Sequence, residues 1–120
     1  MLEVECPPEL RAAALAALIT GGVTEGHLTV ELVDAVRIRE LNRDHRGIDA
    51  PTDVLSFPVD GSAPTAGPRE LGDVVICPEH TADLDEAVVH GVLHLVGMDH
   101  ETDGGEMLAL QDRVVAELRA

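Results

Sequence analysis

Lysine is absent from this chain. Its eight basic residues are all arginines, set against 23 acidic residues, for a formal net charge of −15. Non-specific affinity for nucleic acid comes mainly from basic side chains neutralising phosphates, so this composition excludes tight binding to bulk RNA or DNA. Any such binding must come from a local patch. One stands out: Arg37, Arg39, Arg43 and Arg46 fall within ten positions. Cysteine is nearly as scarce. Cys6 and Cys77 lie far apart, each in an apolar run, and read as buried free thiols in a reducing compartment, not as a disulfide. No apolar run approaches the roughly eighteen residues needed to cross a bilayer. The start, Met1-Leu2-Glu3-Val4-Glu5, lacks the basic opening of a signal peptide. The expectation is a cytoplasmic protein with no membrane partner.

What is present suits one globular domain over residues 1–120, with 45% hydrophobic residues and enough chain for a single core. Leu2–Cys6 alternates apolar and polar and predicts a first strand. Pro7-Pro8 breaks it, and a helix follows over Glu9–Thr20, stopped by Gly21-Gly22. His27–Val33 predicts a second strand, with His27 a solvent-facing residue at its start. Asp34 caps the next helix, whose Arg39, Arg43 and Arg46 share a face if it extends that far. Thr52–Phe57 predicts a third strand, in which Thr52, Asp53 and Ser56 satisfy backbone groups more readily than they bind a substrate. Asp60 to Arg69 reads as a flexible loop, and Leu71–Cys77 as a fourth strand. Met107, Leu110, Val114 and Leu118 mark a last amphipathic helix. This order predicts an α+β fold: a four-stranded sheet packed with helices.

The chemistry concentrates in His90-Gly91-Val92-Leu93-His94-Leu95-Val96-Gly97-Met98-Asp99-His100. Apolar residues from Ala87 to Val96 make this a largely buried helix, with Asp83 as its cap and Glu86 three positions on. His90 and His94, four apart, lie on one face, one turn from each other. Were the helix to continue, His100 would lie roughly 240° round from His94. Gly97 can take the left-handed conformation that ends a helix and turns the chain back. Three imidazoles with one coordination position open are how a catalytic zinc is usually held, whereas structural sites close with four ligands. Cys77 has no spacing that adds it to the set, and His80 reads as an exposed helix-start residue. Asp99 and Glu101 flank His100 and suit either an outer hydrogen bond to a ligand ring or a turn and a solvated surface.

The spacing matches the metzincin protease pattern H-E-x-x-H-x-x-G-x-x-H with one departure. Gly91 stands where those proteases carry the glutamate that serves as general base, which makes a zinc peptidase the weakest reading.

His-Gly-x-Leu-His-Leu-x-Gly-x-Asp-His resembles the signature of the YbeY family of bacterial endoribonucleases. A second block, Leu41-Asn42 through Arg46 and then Pro51-Thr52-Asp53-Val54-Leu55-Ser56-Phe57-Pro58, resembles its other signature, and Leu71–Cys77 its last strand. The segment after Pro78 is shorter than the family's. The resemblance implies a mixed, mostly parallel sheet with a metzincin-like three-histidine zinc helix. It implies one zinc per chain on His90, His94 and His100, and Arg46 as the arginine needed for ribonuclease function. It also implies single-strand-specific cleavage of precursor ribosomal RNA, including the 3′ end of 16S RNA, and ribosome quality control. A second reading, motivated by the acidic charge, is a ribosome-assembly factor with a mainly structural zinc and ribosomal proteins or particles as partners.

Overall fold

The computed structural model describes residues 2–60 and 69–120. Of the loop expected between Asp60 and Arg69, residues 61–68 lie outside the described residues. The chain runs β1 (Leu2–Glu5), α1 (Arg11–Thr20), β2 (Gly26–Leu32), α2 (Ala35–Arg46), β3 (Val54–Pro58), β4 (Glu70–Ile76), α3 (Leu84–Leu95) and α4 (Glu106–Leu118). Short 3-10 turns at Pro8–Leu10 and Pro78–His80 precede α1 and α3. The expected helix from Glu9 therefore starts as a tighter turn, led by Pro8, whose missing N–H costs nothing there.

The strands form one sheet in the order β1-β2-β4-β3. β1, β2 and β4 are parallel, and β3 runs antiparallel to β4 at the sheet edge. This is the mixed, mostly parallel α+β arrangement the motifs imply. An edge strand tolerates proline, so β3 runs one residue past the expected Phe57 and includes Pro58. β4 is central, and Leu71, Val74, Val75 and Ile76 are all buried. Layers on both faces explain its continuous apolar run.

One face carries α1, α3 and α4 over the main core, which includes Leu18, Leu28, Val74, Val92, Leu93 and Met107. α1 contributes Ala13, Ala14 and Ala17, almost wholly buried; their small side chains let it lie close to α3. The other face carries α2 on a smaller cluster of Ile38, Leu55 and Cys77. Both cysteines are free, as expected; Cys77 is buried, whereas Cys6, just past the end of β1, is only half-buried. Asp34 caps α2 by accepting from the Arg37 N–H at 2.8 Å. Gly47, at φ +72°, ends it, its N–H donating to the Arg43 carbonyl at 3.0 Å. Among the described residues no helix is long and apolar enough to cross a membrane.

One expectation is corrected. His27 is not simply solvent-facing: it is half-buried, with Nε2 3.1 Å from Glu5 and Nδ1 2.8 Å from Glu70. The sheet order sets it between carboxylates from the neighbouring strands. Their hydrogen bonds, that of Glu5 first, hold its pKa above the usual histidine value.

Candidate metal centre

α3 is set by its two ends. At its start the Asp83 carboxylate pairs with Arg119 at 2.5 Å and accepts from the Glu86 N–H at 3.2 Å; the arginine first, then the backbone bond, hold its pKa down. At its end Gly97 takes φ +105°. The Gly97 N–H donates to the His94 carbonyl and the Met98 N–H to the Leu93 carbonyl, both at 3.0 Å. That pair of bonds is a Schellman motif, and it reverses the chain as the glycine predicted.

The reversal brings His100 back over His90 and His94. The ring centroids are 4.7 Å apart for His90–His94, 5.1 Å for His90–His100 and 5.0 Å for His94–His100, a nearly equilateral triangle. One ligand nitrogen from each ring lies within 4.8 Å of the other two. Among the described residues no other group of metal-ligating side chains converges in this way. An ion about 2.0–2.1 Å from each nitrogen can draw that spread together.

The outer hydrogen bonds fit the same use. His90 Nδ1 lies 2.7 Å from Gln111 Oε1, and His94 Nδ1 lies 3.0 Å from the Met98 carbonyl. Each partner is an oxygen acceptor, so each Nδ1 carries the proton and each Nε2 keeps its lone pair. His100 has a buried Nδ1 with no hydrogen-bond partner. Burial, then the neighbouring His90, lowers the His94 pKa and favours a neutral ring. Three half-buried imidazoles, two of them oriented from behind, can hold a metal ion.

Gln111 is the residue that sequence reasoning missed. It is 6% exposed in α4, between Met107 and Val114 on the buried face. A polar residue interrupting an apolar stripe was the available signal. Asp99, by contrast, takes its structural role: its carboxylate accepts from the Glu101 N–H at 2.9 Å and shapes the turn. His80 is exposed on its 3-10 turn and stands apart from the triangle.

The departure at Gly91 has a steric cause. A Cβ there would lie 2.5 Å from Val74 Cγ1 and 3.0 Å from Val54 Cγ2. The helix rides directly on the sheet, and the Ser56 hydroxyl clamps it by donating to the Gly91 carbonyl at 2.7 Å. A glutamate cannot enter this contact. Gly91→Ala is expected to cost about 1–3 kcal/mol through overpacking, measured by chemical denaturation.

The triangle opens into a cleft of about 970 Å³ that runs along β3 and includes Arg46 at the end of α2. The basic patch expected around Arg46 is largely neutralised. Arg37 pairs with Glu40 at 3.4 Å, Arg39 with Asp49 at 2.7 Å and Arg43 with Asp44 at 3.3 Å. Arg46 forms no ion pair among the described residues, and its charge faces the same cleft as the imidazoles. Asp53 accepts from the Val54 N–H at 2.8 Å and serves the strand's start, as expected.

Fold and triangle together define an α+β protein whose central helix and following turn present three imidazoles able to hold a metal. Residues 10–119 match the family described as Endoribonuclease YbeY, and the chain belongs to that family. It is 39% identical over 121 residues to an Endoribonuclease YbeY of Nitrobacter hamburgensis, covering 86% of this chain and 64% of that relative. It is 47% identical over 97 residues to that of Rubrobacter xylanophilus, covering 78% and 69%. With that of Treponema pallidum strain Nichols it shares 38% over 133 residues, covering 93% and 83%. A Thermotoga maritima protein solved in solution superposes with a TM-score of 0.57 at 28% identity, covering 98% of this chain and 88% of that one. The resemblance read from the histidine and Pro51–Pro58 motifs is borne out. The relatives' names make the family one of RNA-cleaving hydrolases.

Proposed function

We propose that this chain, acting as one domain over residues 1–120, is a zinc-dependent endoribonuclease that cuts single-stranded precursor ribosomal RNA. The observation that carries the reading is the meeting in one cleft of three convergent imidazoles and an arginine with no ion pair among the described residues. His90, His94 and His100 would hold one zinc through neutral ring nitrogens, a three-histidine donor set of the kind that catalytic zinc uses. When bound, zinc supplies Lewis acidity next to a phosphoryl oxygen. Arg46 grips the phosphate with its fork of N–H donors and neutralises the charge that develops on it. The backbone turn at Gly97–Asp99 keeps His100 in place, and Gln111 keeps His90 turned toward the ion. With no metzincin glutamate at position 91, peptide hydrolysis by that route is the weakest reading. Action in the cytoplasm, on 16S precursor ends and in ribosome quality control, belongs to the same reading.

Zinc-loaded protein is expected to cut single-stranded RNA and to stop when a chelator strips the ion. Metal-loaded protein that leaves RNA intact yet binds ribosomal particles favours instead an assembly factor with a structural zinc. The net charge of −15 suits that second reading, through docking on basic ribosomal proteins. Removing the outer partner gives a graded effect. Gln111→Met keeps the volume and loses the acceptor, so zinc affinity should fall about 10- to 100-fold, read by competition with a chromophoric chelator. Gln111→Glu, which keeps an acceptor, should retain tight binding.

A further inference from the structure

Phe57 is the only phenylalanine in a chain with no tryptophan or tyrosine. It is not spent in the main core. It sits half-buried on the wall of the cleft, with its inner side on the small cluster of Ile38, Leu55 and Cys77. Its ring meets that of His45, with centroids 4.7 Å apart and planes tilted by 59°. His45 is exposed in the last turn of α2, next to Arg46, and lines the same cleft.

The three histidines and Arg46 account for a metal and a phosphate, but not for a base. Electrostatic attraction cannot supply the missing hold, because Arg37, Arg39 and Arg43 are spent on carboxylates and the chain is strongly acidic. Stacking on aromatic rings, histidine included, holds unpaired bases without needing net positive charge. A tilted contact with Phe57 braces the imidazole from one side, while its exposed surface faces the cleft.

We infer that His45, braced by Phe57, is a nucleobase subsite on which the base beside the Arg46-held phosphate stacks. The inference rests on the nuclease reading of the same cleft and deepens it. It selects single-stranded RNA, since a base must leave its own helix to reach the ring. A purine, with the larger π-face, stacks better than a pyrimidine.

The test is initial-rate cleavage of single-stranded oligoadenylate and oligouridylate decamers by the zinc-loaded full chain. The parent should show the lower KM on oligoadenylate. His45→Ala should raise KM about 5- to 100-fold and erase the purine preference. His45→Tyr, which restores a ring, should recover both. Phe57→Leu keeps apolar packing on Ile38 and Leu55 and should raise KM less. His45 is exposed, so its loss should leave zinc content and circular dichroism unchanged. An unaltered KM and purine preference in His45→Ala, with the parent active, overturns the subsite alone. A zinc-loaded parent that cuts neither decamer overturns the nuclease reading, and the subsite with it.

Discussion

His94→Ala is expected to abolish stoichiometric zinc binding while leaving the helix intact. His94 is the middle residue of the triangle, one helical turn from His90 and held by the Met98 carbonyl at 3.0 Å. Its ring is 4.7 Å from that of His90 and 5.0 Å from that of His100. Removing it leaves two nitrogens, too few for the three-ligand centre. The loss should exceed the about 10- to 100-fold expected from deleting an outer partner such as Gln111. Alanine is the best helix former, and α3 is fixed by Asp83, by Gly97 and by the packing of Val88, Val92 and Leu93. Far-ultraviolet circular dichroism should therefore match the parent. Metal analysis after dialysis reads the effect, and retention of one zinc per chain would remove His94 from the ligand set.

Arg46→Ala is expected to lower RNA cleavage about 100- to 1,000-fold, the usual loss when one preorganised charge-stabilising donor is removed. Its zinc content should not change, because Arg46 belongs to α2 and the imidazoles to α3 and the turn beyond it. An exposed side chain at a helix end contributes little to stability. Arg46→Lys keeps the charge but loses the planar fork and should recover only part of the rate. The same substitution at Arg39 serves as the comparison. Arg39 is bound to Asp49 through two contacts, at 2.7 and 3.2 Å, so Arg39→Ala should leave cleavage nearly unchanged. Equal losses at both positions would indicate a diffuse basic surface in place of a single phosphate contact.

The histidine triangle was legible in the sequence because its geometry is local. A spacing of four on a helix and a glycine three residues later determine where the rings go, and Gly97 behaves as that pattern requires. The caps at Asp34 and Asp83 were legible for the same reason. Features made by tertiary pairing were not. Gln111 meets His90 only because α4 folds back beside α3. His27 meets Glu5 and Glu70 only because β2 lies between β1 and β4. The arginine cluster looked like a charged patch in sequence. Asp49, returned toward α2 by the turn at Gly47, takes Arg39, while nearby Glu40 and Asp44 take Arg37 and Arg43. The reason for glycine at position 91 also needed the structure, since the atoms that would collide belong to Val74 and Val54 on two other strands.

The most direct measurement is a zinc titration of metal-free protein, with RNA cleavage assayed in the same samples. Cleavage should rise in proportion to bound zinc and reach its plateau at one ion per chain. Failure to take up zinc, or cleavage that ignores how much zinc is bound, would contradict a catalytic centre at His90, His94 and His100.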